Sequence, residues 1–198
     1  MLLLSAGRFI ETFFYNCVSK VMTNKIQIET ERLLLREYDE ADWEAVHNYA
    51  QKADILIYEA WGPNTETETK NFINTVLEDQ AKQPRNSFDL AIILKAEEKL
   101  IGGCRFWFTN AEPCEGNIGY IINPGYWKNG YASEATNALT NYISTSYNIK
   151  IVNAACDVLN IASQRVLEKC GFELISTIEK HIEMKGRYRD TYIYERLI

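Results

Sequence analysis

The chain has 198 residues, 46% of them hydrophobic and 24% charged, and carries a net charge of −6 at pH 7. That length suits one domain with a sizeable core, and the composition excludes a disordered chain. The acidic balance argues against nucleic-acid backbone as a partner and suits cationic or amine ligands. No apolar run is long enough to span a membrane, so no membrane association is expected. The five cysteines are odd in number, lack any Cys-x-x-Cys, and are joined by only two histidines. Buried free thiols in a cytoplasmic protein, with no metal site, are the expectation.

Residues 1–21 stand apart from the rest. Leu2-Leu3-Leu4 is too short for a signal segment, while Phe9, Ile10, Phe13, Phe14, Cys17, Val18 and Val21 recur at helical spacing. They predict an amphipathic N-terminal extension ahead of a domain at 22–198. Ile26–Glu37 reads as a strand or two short ones. Asp39 is a fair N-cap for a helix with Trp43, Val46, Tyr49 and Ala50 inward, and a second helix over Thr65–Gln80 turns Phe72, Ile73, Val76 and Leu77 inward. Ala60-Trp61-Gly62-Pro63 breaks the chain between them. Phe88–Leu94 and Lys99–Phe108 are strands, and Gly102-Gly103 marks a bulge.

In Glu115–Ile122, Ile118, Tyr120 and Ile122 alternate with Asn117, Gly119 and Ile121, as in a strand that Asn123-Pro124-Gly125 stops. From Tyr131 the period becomes helical, with Ala135, Ala138, Leu139, Tyr142 and Ile143 on the same face. Gly130 and Ala132 sit where that helix begins, either as a plain strand-turn-helix connection or as an anion site of bare backbone N–H groups. Ile149–Val158 is a further strand, Asn160 a cap for a helix over Ile161–Cys170 that Gly171 ends, and Glu173–Glu183 with Tyr188–Leu197 a closing hairpin.

The run Trp127-Lys128-Asn129-Gly130-Tyr131-Ala132 resembles the pyrophosphate loop of the GNAT acyltransferases, with Trp127 where Gln or Arg is usual. Asn160-x-x-Ser163-x-x-Val166-Leu167-Glu168-Lys169-x-Gly171-Phe172 is similar to that family's second cofactor motif. Together they resemble the Rim-type branch, which acetylates the α-amino groups of ribosomal proteins, and the likeness runs from about Ile26 to the C-terminus.

The resemblance implies a single α/β (α+β) domain with a mixed, mostly antiparallel sheet of about seven strands. Acetyl-CoA would lie between two splayed central strands, Glu115–Ile122 and Ile149–Val158. The backbone of Tyr120, Ile121 and Ile122 would line the pantetheine arm, the loop from Trp127 through Lys128, Asn129, Gly130 and Tyr131 to Ala132 would hold the pyrophosphate, and Asn160 would contact the cofactor arm. It also implies direct attack of a neutral amine on the thioester. The branch's glutamate before Ile-Gly-Tyr is Asn117 here, so Glu115, two residues earlier on the same face, is either the base or an exposed strand-end carboxylate. The family's tyrosine acid falls at Leu167, leaving Ser163 as candidate acid or as an ordinary first-turn residue. In the family the segment between the first two helices lines the acceptor pocket, which makes Tyr58, Glu59 and Trp61 candidates for its wall, with core packing the alternative for the two aromatics.

A weak base suits an amine of low basicity. Deprotonating an α-amino group at pH 7 costs about 1.4 kcal/mol, against roughly 4.6 for lysine. The expected acceptor is therefore a protein or peptide N-terminus. A small-molecule amine such as an aminoglycoside or polyamine is the alternative, and a cofactor-binding regulatory module of little activity is the alternative of another class. A monomer or homodimer is expected.

Overall fold

The computed structural model describes residues 25–109, 114–184 and 186–198, so the segment 1–21 lies outside the described residues. In chain order the elements are β1 (Gln27–Glu29), β2 (Leu33–Glu37), α1 (Trp43–Ala50), α2 (Glu66–Ala81), β3 (Ser87–Leu94), β4 (Lys99–Phe108), β5 (Glu115–Ile122), α3 (Tyr131–Tyr147), β6 (Ile151–Asp157), α4 (Ile161–Lys169), β7 (Glu173–Met184) and β8 (Arg187–Leu197). The strands form one eight-stranded sheet in the order β1-β2-β3-β4-β5-β6-β8-β7. Every neighbouring pair is antiparallel except β5–β6. The sheet has one strand more than expected, because Ile26–Glu37 folds as two short strands around a tight turn.

Strand periodicity places the two helical layers. On β3, Leu90 and Ile92 face α3, where Ala135, Leu139 and Ile143 are fully buried, while Ala91 and Ile93 face Val46, Tyr49, Ile73 and Val76 of α1 and α2. Covered on both faces, β3 reads as an almost unbroken apolar run. A reciprocal capping box starts α2, with the Thr65 hydroxyl taking the Glu68 N–H and the Glu68 carboxylate taking the Thr65 N–H. Phe72 departs from its expected inward position. It is 39% exposed and meets the edge of Tyr38.

The bulge expected at Gly102-Gly103 falls beside them, where Ile92 pairs with Gly102 and Ile93 with Leu100, leaving Ile101 as the extra residue. Glycine at 103 serves close approach, since a Cβ there would sit 2.2 Å from the Tyr38 hydroxyl. The cysteine expectation needs one correction. Cys104, Cys156 and Cys170 are free and buried, but Cys114 is disulfide-bonded.

Candidate active site

The site is built around the one parallel strand pair among the described residues. β5 and β6 pair only over Glu115–Asn117 with Ile151–Asn153. Beyond those three residues β5 runs on to Ile122 beside β4, and β6 to Asp157 beside β8. The two strands thus part into a fork whose inner edges lack each other as hydrogen-bond partners. An extended ligand with amide groups fits such an edge as an added strand would.

A helix starts near the end of each arm. After β5 the chain turns at Asn123-Pro124-Gly125, and the indole N–H of Trp127 closes back on the Ile122 carbonyl at 2.6 Å. Lys128 (φ 64°) and Gly130 (φ 82°) both take left-handed conformations, and Gly130 is the N-cap of α3. No side chain caps α3. Its first-turn donors have no partner within the helix, which is the arrangement that takes phosphate oxygens. At α4, by contrast, the Asn160 side chain accepts the Ser163 N–H at 3.1 Å.

A cavity of about 300 Å³ occupies the open part of the fork. It is lined by Tyr58, Glu59 and Trp61 from the α1–α2 connection, by Tyr120 and Cys156 from β5 and β6, and by Asn160 and Ser163 at the start of α4. The Tyr120 hydroxyl lies 2.8 Å from Ser163 Oγ and 3.2 Å from the Ser163 carbonyl. Burial raises the Tyr120 hydroxyl above its usual range, so it stays a proton donor at neutral pH. Burial likewise pushes the Cys156 thiol up to about 11, which leaves it protonated and a poor nucleophile. Arg189 lines the same cavity, 2.9 Å from the Asp157 carboxylate and over the ring of Tyr58.

A second cavity of about 470 Å³ lies between α1, α2 and the sheet, walled by Tyr38, Tyr49 and Phe72 with the buried Asp89. It shares Glu59, Trp61, Gly119 and Tyr120 with the first, so Glu59 stands where the two meet. Burial raises the Glu59 carboxyl above the ordinary glutamate value, against a hydrogen bond from the Trp61 side chain. Asp89 is raised by burial too, opposed by Arg105 at 3.4 Å.

The structure brings together Ser163, Tyr120, Asn160, Tyr58, Glu59 and Trp61 around one cavity. It does not bring Glu115 or Asn117 there. Both belong to the paired, closed end of the fork, and the Glu115 carboxylate takes the side-chain amide of Asn153. Gly130, Tyr131, Ala132 and their loop stand at the opposite end of β5. Two roles escaped the sequence. Tyr120 was expected to contribute backbone alone, yet its side chain meets Ser163, and period two did place it on the face shared with Ile118 and Ile122. Arg189 carried no signal, because nothing local says that β8 faces the Tyr58 loop.

Residues 32–173 match the family model described as an acetyltransferase (GNAT) domain. The chain belongs to the GNAT acetyltransferase family. It is 34% identical over 169 residues to the uncharacterized N-acetyltransferase YnaD of Bacillus subtilis, covering 85% of this chain and 95% of that one. A GNAT-family acetyltransferase from Bacillus anthracis superposes with a TM-score of 0.75 at 32% identity, covering 87% of this chain and 98% of the other. RimL, a ribosomal L7/L12 alpha-N-protein acetyltransferase in complex with coenzyme A, superposes at 0.79 with 22% identity over 87% and 98% of the two chains. At that identity the likeness to RimL is one of fold. Among the described residues no helix is long and apolar enough to cross a membrane, and no cluster of three or more His, Cys, Asp or Glu offers a metal site.

Proposed function

We propose that this GNAT enzyme transfers an acetyl group from acetyl-CoA to the α-amino group of a protein or peptide N-terminus, directly and without an acyl-enzyme. The observation that carries the reading is the Tyr120–Ser163 hydroxyl pair lining the same cavity of the fork as Glu59. The parted strands and the uncapped start of α3 fit the cofactor, the first as an edge for its amide-bearing arm and the second as donors for its phosphates. When bound, acetyl-CoA supplies the activated acetyl thioester.

The protein's own residues then divide the proton traffic. Glu59, half-buried at the junction of the two cavities, takes a proton from the incoming ammonium at a carboxylate oxygen. Its raised pKa matches it better to an α-amine near pH 8 than to a lysine above 10. As the amide forms the nitrogen releases its second proton to water, and Ser163 Oγ gives a proton to the departing sulfur. Ser163 is reprotonated through the Tyr120 hydroxyl 2.8 Å away, which takes a proton from water in turn. Cys156, held as a thiol, is no rival nucleophile in this cavity. This assigns the base to Glu59 in place of Glu115.

Release of free coenzyme A thiol, followed with a panel of acceptors, tests the proposal. Peptides with free α-amines should turn over, while the same peptides blocked at the N-terminus should not. Turnover confined to polyamines or aminoglycosides would transfer the reading to small-molecule amines, and none with any amine would favour a regulatory module.

A further inference from the structure

The phosphate-facing start of α3 carries an acidic residue in its first turn, Glu134. A carboxylate there suits the helix dipole but opposes a dianionic ligand at the same helix end. The structure surrounds that carboxylate with donors from the distant β1–β2 turn. The Thr30 hydroxyl and the Arg32 backbone N–H, the latter at 3.0 Å, donate to Oε1. Arg32 Nε and Nη2 reach Oε2 at 2.7 and 2.6 Å. The same guanidinium donates from Nη1 to the Asn129 carbonyl at 2.9 Å and lies 4.7 Å over the Tyr131 ring. One side chain from 97 residues away in sequence therefore grips both the loop and the first turn of the helix. Burial acts to raise the Glu134 carboxyl, and the hydrogen bonds from Thr30 and Arg32 outweigh it and hold the group ionised below its ordinary value.

We propose that Arg32 is a positioning residue for the phosphate loop: it cancels the charge of Glu134 and ties back the Asn129 carbonyl, so that a diphosphate meets donors only. The inference rests on the acetyl-CoA reading above. A plain staple between β1–β2 and α3 would use the same contacts, but it would not depend on the charge of the ligand.

Calorimetric affinity for coenzyme A, measured on the full chain, separates the two. Arg32→Gln should weaken binding about tenfold to a hundredfold, the range of a lost hydrogen-bonded charge. Arg32→Gln with Glu134→Gln should recover most of that loss, because no charge is then left to cancel. Acetyl-pantetheine, which lacks the diphosphate, should bind all of these variants alike. Glu134→Gln alone keeps Arg32 and should bind coenzyme A at least as tightly as the parent, a measurement that survives if Arg32→Gln folds poorly. The proposal is overturned if the double variant stays as weak as the single one, if Glu134→Gln alone weakens binding, or if acetyl-pantetheine is lost in parallel. A parent protein that binds no coenzyme A removes the acetyl-CoA reading and this inference with it, whereas binding untouched by Arg32→Gln removes this inference alone.

Discussion

Two helices begin on the two arms of the fork, and they begin differently. At α3 the N-cap is Gly130 in a left-handed conformation, with no side-chain cap hydrogen bond to the first turn. At α4 the N-cap is Asn160, whose side chain occupies the Ser163 N–H, and Ser163 carries a hydroxyl bonded to Tyr120. A helix start left open offers backbone donors to an anion. One closed by its own side chain gives up that capacity and becomes a rigid platform for a proton-carrying group. On the proposed function, α3 serves cofactor affinity and α4 the chemistry, and substitutions at each should separate the two quantities.

The largest effect is expected at the open start. Gly130→Glu adds a side chain at φ 82° and a negative charge against the phosphates, and should abolish coenzyme A binding. Cofactor at 100-fold over its dissociation constant should stabilise the parent by about 2.7 kcal/mol. Thermal melts should show that shift in the parent and none in the variant.

Glu59 comes next. Glu59→Gln should lower turnover about a hundredfold at pH 7, within the usual range for a lost general base. The loss should shrink above pH 8, where an α-amine deprotonates itself. Because the folded protein holds this carboxyl's proton to a higher pH than the unfolded chain does, an ionised Glu59 costs stability as pH rises through its raised pKa. Glu59→Gln should therefore melt no lower than the parent at pH 7, which keeps the kinetic loss separate from unfolding.

Ser163→Ala should reduce turnover roughly tenfold to a hundredfold with unchanged cofactor affinity, since a thiolate leaves tolerably well unaided. Tyr120→Phe should act through the same hydroxyl, so the double variant should lose little more than the worse single one. Additive losses would mean the two hydroxyls work apart. Asn160→Ala should be mildest, costing about 1 kcal/mol of stability as a lost cap, read from denaturant midpoints.

Much of this was legible in the residues. The alternation in Ile118–Ile122, the stop at Asn123-Pro124-Gly125 and the helical period from Tyr131 are local patterns, and the elements form where they point. Asn160 as a cap was readable for the same reason. What local patterns do not encode is which loops meet across the sheet. Glu115 and Asn117 share the face that period two gave them, but the β5–β6 register puts them at the closed end of the fork. Glu59 gains its position because the α1–α2 connection folds over that fork, and Phe72 is left exposed because part of the face it was expected to fill is the second cavity. The Arg32 brace joins residues about a hundred positions apart, which no spacing rule reaches.

The most direct measurement is to incubate the protein with acetyl-CoA and a peptide that carries both a free α-amino group and an internal lysine, and to locate the product by fragment mass analysis. The predicted result is a single acetyl group on the α-nitrogen, formed at a rate that falls in Glu59→Gln and in Ser163→Ala. Acetyl groups on the lysine, or on the α-nitrogen at a rate that neither substitution alters, would contradict it.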